Sequence, residues 1–117
     1  MLASAYHAYS GLWWVAPRTP SLKVAMAALV VLLGVGIAMG FGPVEIALLI
    51  LSGTVILATE TVNTAIELLC DRLHPDPDEV IGRVKDVAAG ATALCELGAT
   101  SVFVVMLVPH VLERLGR

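Results

Sequence analysis

Three apolar runs divide this chain. From Val24 to Phe41 eighteen consecutive residues carry no charge, and fourteen more lie between Glu45 and Glu60. From Val87 to Pro109 the one charged side chain is Glu96. A helix crossing the hydrocarbon of a bilayer needs ~20 predominantly apolar residues. The pattern therefore predicts an all-α membrane protein with three transmembrane helices, over residues 21–40, 44–73 and 79–113. Turn signals separate them. "GFGP" returns the chain after the first span, with Pro43 suited to open the second. "HPDPDE", with two prolines and three acids, cannot continue a membrane helix and forms the second loop.

Residues 3–16, "ASAYHAYSGLWWVA", are too short to span and rich in Tyr and Trp. Such rings favour the membrane–water boundary, which predicts an amphipathic helix on the surface, anchored by Trp13 and Trp14. Pro17 and Pro20 in "PRTPS" separate it from the first span. The first apolar run begins past residue 20 without a small-residue cleavage site, so it does not read as a cleavable signal. Residues 1–117 read as one membrane domain.

Composition strengthens this picture. The 117 residues are 58% hydrophobic and 15% charged, and mean hydropathy is +0.89. An ordinary soluble domain carries about 25% charge. The net charge of −3, without a basic cluster or a glycine-rich phosphate loop, gives no footing for nucleic acid. Basic residues set the orientation: Arg18, Lys23, Arg72, Arg83 and Lys85 share one side, against Arg114 and Arg117 on the other. That asymmetry puts the amino terminus and the second loop in the cytoplasm. Cys70 and Cys95 fall at different depths, too far apart for a disulfide, and read as small core residues. His7, His74 and His110 are too scattered for a metal site and read as interfacial or loop residues. "GIAMG", Gly36 to Gly40, has the GxxxG form of a close helix contact.

The second span holds what a membrane helix ordinarily excludes. At 100° per residue Glu60, Asn63, Glu67 and Asp71 share an arc of about 80°. Charged groups in hydrocarbon cost ~2.5 kcal/mol or more, so this stripe must face protein, water or a cation. Across the second loop, Lys85 and Asp86 open the third helix near the level of Glu67. A lysine, carboxylates and the small residues Ala88, Ala89 and Gly90 at one level suit a magnesium-bound polyphosphate. Glu60, deeper, is placed to meet a lipid group. That vertical order is what phosphoryl transfer from a soluble nucleotide to a lipid hydroxyl requires.

"ETVNTAIELLCD", followed fourteen residues after Asp71 by "KDVAAGA", resembles the prokaryotic diacylglycerol kinase family, which includes undecaprenol kinases. The resemblance covers residues 56–94 strongly and extends through "YSGLWW" and the first span. It implies an ATP- and magnesium-dependent lipid kinase of the bacterial inner membrane, a homotrimer with sites shared between protomers. The acceptor would be diacylglycerol or undecaprenol. It implies Glu60 as catalytic base, Asn63 as its polar partner and Glu67 as ligand of the magnesium carried by ATP. Lys85 and Asp86 would contact nucleotide phosphate and adenosine, Asp71 would be a hydrogen-bonding partner, and Asp76 and Asp78 would lie over the nucleotide. The chain departs from the family at Thr19, which stands where a second metal-binding glutamate is expected, and at Glu96, where the family is apolar. The alternative reading is a catalytically weakened homologue serving as a membrane binding or assembly module.

Overall fold

The computed structural model describes all 117 residues. Four α-helices account for most of the chain: α1, Leu2–Val15; α2, Pro20–Met39; α3, Pro43–Leu73; and α4, Glu79–Leu115. α2, α3 and α4 are each long and apolar enough to cross a membrane. The molecule is a multi-pass helical membrane protein with a short additional helix at its amino terminus.

The connections show why the helices stop where they do. Ala16–Arg18 tighten into a 3-10 turn and Thr19 is extended, so the chain leaves α1 without a long linker. Pro20 does not belong to the break, as "PRTPS" suggested, but is the first residue of α2. At that position a proline loses no hydrogen bond, and its fixed φ suits the helix. At the other end of α2, Gly40 takes φ +86, open to glycine at no steric cost. The Phe41 N–H then bonds the Gly36 carbonyl at 2.9 Å and the Gly40 N–H bonds Ile37 at 3.1 Å. This double closure satisfies carbonyls that a helix end leaves open.

The Phe41 ring folds back onto Gly36, where a Cβ would lie 2.8 Å from it. The Gly36–Gly40 spacing therefore builds a turn rather than the helix-to-helix contact its GxxxG form suggested. The close helix approach lies elsewhere, at Gly53 of α3, where a Cβ would come within 2.4 Å of Leu29 on α2.

α3 begins with the Glu45 carboxylate accepting from the Gly42 N–H at 2.8 Å. α4 begins with Asp78 Oδ1 accepting from the Ile81 N–H at 2.9 Å. Each side chain satisfies a donor that the first helical turn leaves unpaired.

The interior is thin. Only 13 of 117 residues are buried, so most apolar side chains of the spans face outward to lipid or to another protein. A compact cluster of Phe41, Leu49 and Met106, flanked by Leu32, Ile46 and Phe103, fills the end nearest the α2–α3 turn.

The three spans differ in length, and the difference positions the site. α2, with 20 residues, is about 30 Å long at 1.5 Å per residue, which matches the hydrocarbon thickness. α3, with 31, and α4, with 37, overrun it. Ser21 in the first turn of α2 bonds Glu60 on α3. Glu60 therefore sits level with the start of the shortest span, at the edge of the hydrocarbon. Residues 61–73 of α3 continue past that edge toward the α3–α4 loop.

Candidate active site

The polar stripe of α3 resolves into three contacts that descend from the loop to the hydrocarbon edge. Nearest the loop, Lys85 of α4 makes an ion pair with Asp71. Both side chains are substantially exposed, and such a pair contributes little stability. Its value is positional: it marks the α3–α4 register and places an ammonium beside the carboxylate row. Next, Asn63 Nδ2 donates to Glu67 Oε1 at 3.2 Å, one turn along the same helix face. Deepest, the Ser21 hydroxyl donates to Glu60 Oε2 at 2.6 Å. Glu60 is 6% exposed, and Thr64 caps the backbone there by donating to the Glu60 carbonyl at 2.9 Å.

Glu60 also lines a cavity of about 560 Å³ between α2, α3 and α4. One face of each helix contributes to it. Ser21 and Glu96 join Glu60 at the loop-side end, and Leu32, Leu49 and Phe103 lie toward the α2–α3 turn. The cavity thus has a polar mouth and a long apolar body, the shape of an amphiphile. Glu60 Oε1, the oxygen that Ser21 does not engage, is available to an O–H group entering there.

Buried polar atoms need partners, and two at this end of the molecule have none: Asn63 Oδ1 and Thr92 Oγ1. Asn63 lies between the Glu60 and Glu67 levels, and its unpaired oxygen is enclosed by the chain's own atoms.

The remaining candidates sort by position. Asp86 is exposed on the first turns of α4, and Asp76 is exposed in the loop, where its carbonyl contacts His74 Nδ1 at 2.9 Å. Asp78 spends one carboxylate oxygen on the cap of α4. Thr19 is 5% exposed and its hydroxyl donates to the Val15 carbonyl at 3.2 Å. It is turned inward and bound to backbone. No group of three His, Cys, Asp or Glu residues converges to hold a metal ion. Magnesium is usually held by one or two carboxylates together with water and substrate phosphates, and exposed Glu67 fits that limited role.

A family model described as prokaryotic diacylglycerol kinase matches residues 6–107, from within α1 to well into α4. The chain belongs to the prokaryotic diacylglycerol kinase family. No individually curated protein matches it. Membership makes this a lipid-kinase scaffold, and Glu60, Asn63, Glu67, Asp71 and Lys85 lie along one edge of it, from the cavity to the loop. Ser21 was not among the residues the sequence singled out. Its signal was faint: a hydroxyl in the first turn of an apolar span, next to a proline.

Proposed function

We propose that this member of the family transfers the γ-phosphate of ATP to the hydroxyl of a membrane lipid, diacylglycerol or undecaprenol. The observation that carries the reading is the cavity with Glu60 at its mouth, lying at the hydrocarbon edge where lipid hydroxyls reside. The lipid chain occupies the apolar body and its hydroxyl meets Glu60 Oε1. A general base must lie within about 2.6–3.2 Å of the proton it takes. The Ser21 hydroxyl, already 2.6 Å from the same carboxylate, shows that an O–H donor fits. Glu60 accepts the proton as the lipid oxygen attacks the γ-phosphorus, and the bond to the departing ADP oxygen breaks.

The nucleotide lies on the loop side, where α3 and α4 emerge from the hydrocarbon. Lys85 faces its phosphates, Asp86, Asp76 and Asp78 line its approach, and Asp71 holds Lys85 in place. Glu67 would hold the magnesium ion that accompanies ATP, which would offset phosphate charge, and Asn63 orients the Glu67 carboxylate. The protein resides in the bacterial inner membrane with its amino terminus and α3–α4 loop in the cytoplasm, the side that supplies ATP.

The assembly is a homotrimer with shared sites. The outward-facing Glu67 and the thin interior leave this edge of α3 free for a neighbouring protomer. Native mass spectrometry from mild detergent would read the trimer directly.

One observation favours a second reading. With Thr19 bound to Val15 and no second acid in its place, a weakened homologue would bind nucleotide and lipid without efficient transfer. Purified protein in mixed micelles, given γ-labelled ATP and magnesium, separates the two. The kinase reading expects label in a lipid phosphate. Binding of both substrates without labelled lipid would establish the weakened form.

A further inference from the structure

Two contacts, far apart along the helices, show how α3 and α4 run past each other. Lys85 meets Asp71 near the loop, and His110 Nε2 meets Glu45 at 3.0 Å near the α2–α3 turn. Eleven residues on from Lys85 is Glu96, and eleven back from Asp71 is Glu60. Counting from the other contact reaches the same level to within one residue. Glu96 therefore faces the level of Glu60 across the antiparallel pair, and both line the same cavity.

The two carboxyl groups are treated differently by the fold. Glu60 is buried and held by Ser21. Glu96 is exposed on α4, takes part in none of the three ion pairs, and has Leu94 and Leu97 outward beside it. Carboxyl groups on membrane helices are costly, and those that occur are partnered or mark a substrate path. Thr100, one turn further along α4, extends the same polar edge of the cavity.

We infer that Glu96 is a specificity-determining residue of the acceptor site, binding a second hydrogen-bond donor on the lipid beside the hydroxyl that reacts at Glu60. This rests on the lipid-kinase reading above and adds to its two single-hydroxyl acceptors a class with a second hydroxyl, which the site prefers. An ionised carboxylate only accepts hydrogen bonds, so the matching group is a hydroxyl, as in a lipid 1,2-diol such as a monoacylglycerol. A polyprenol has a single hydroxyl, which Glu60 uses. It leaves Glu96 covered by hydrocarbon with no partner, and unpaired polar groups of a site discriminate strongly against ligands that lack the matching one. A diacylglycerol has a single hydroxyl and otherwise only carbonyl acceptors.

The test compares a monoacylglycerol, a diacylglycerol and a polyprenol as acceptors in mixed micelles with ATP and magnesium. Binding of each lipid without nucleotide is followed in parallel by native mass spectrometry. Hydrogen bonds to charged groups support a preference of at least about tenfold in kcat/KM for the monoacylglycerol over the polyprenol. Glu96→Leu should collapse that ratio toward unity, mainly through KM, and the binding preference should collapse with it. Glu96→Gln, which keeps an acceptor oxygen, should retain part of both and controls for folding. A ratio unchanged in Glu96→Leu, in transfer and in binding, overturns the assignment while leaving the kinase reading intact. Selective loss of diacylglycerol also overturns it, because Glu96 would then be donating to a carbonyl. Binding preference that follows Glu96 in a protein that transfers no phosphate upholds the subsite and removes the kinase reading.

Discussion

α3 is joined to α4 at both ends by a carboxylate and a cationic or ionisable partner, and the two ends do opposite things with that contact. At the turn end, His110 holds Glu45 at 3.0 Å, Phe41 lies 5.0 Å from the imidazole, and Phe41, Leu49 and Met106 pack alongside. Glu45 also caps α3, and Arg114 donates to the Ala38 carbonyl at the end of α2. Polar groups there have partners within the chain, and hydrophobic side chains close over them. At the loop end, Lys85 and Asp71 are exposed, Glu67 faces outward, and Asn63 and Thr92 keep buried oxygens unpaired. The turn end holds the spans together; the loop end carries the polar groups that the proposed reaction uses.

The largest effect that would sharpen this contrast is at Glu67. Glu67→Ala should lower phosphate transfer by about 100-fold, the scale set by removing one group that stabilises charge in a transition state. Thermal unfolding in detergent should hardly move. A large loss of thermal stability instead would make the stripe structural and erase the difference between the two ends. Phe41→Ala should show the converse. Removing a buried ring costs about 3 kcal/mol or more, and Phe41 also closes the turn over Gly36, so stability should fall while transfer per folded molecule persists. His110→Gln retains a group able to hydrogen-bond Glu45, and a modest drop in melting temperature without change in kcat is expected. The smallest effect belongs to Thr19→Ala, which loses one backbone contact worth about 1 kcal/mol. The magnesium concentration for half-maximal transfer should stay the same; a marked rise would show that Thr19 reaches the metal despite its bond to Val15.

How far the sequence revealed this arrangement depends on the range of the interaction. The spans were legible because uncharged runs of this length are dictated by the bilayer. The stripe Glu60–Asn63–Glu67–Asp71 was legible because helical periodicity alone puts those residues on one face. Contacts between helices were not. Nothing local connects Ser21 to Glu60, 39 residues away, or His110 to Glu45, 65 residues away. His110 therefore read as one of three scattered histidines. The Gly36–Gly40 pair misled because its spacing suits a helix contact equally well, and only the left-handed φ of Gly40 and the Phe41 ring against Gly36 decide for a turn. Pro20 reads in sequence as part of a break because a proline at the first position of a helix looks like one that ends it. The level of Glu60 also needed the structure: the short α2, tied to it through Ser21, brings Glu60 to the hydrocarbon edge.

In the proposed reaction Glu60 acts on the lipid hydroxyl and not on the nucleotide. Glu60→Gln is nearly isosteric and keeps an acceptor for Ser21, so the fold should survive. The decisive measurement is ATP–magnesium binding and phosphate transfer on the same preparation of this variant. Transfer should fall by about a hundredfold or more, as expected for loss of a general base, with nucleotide affinity unchanged. Loss of nucleotide binding in parallel with transfer, or transfer at the unmodified rate, would contradict it.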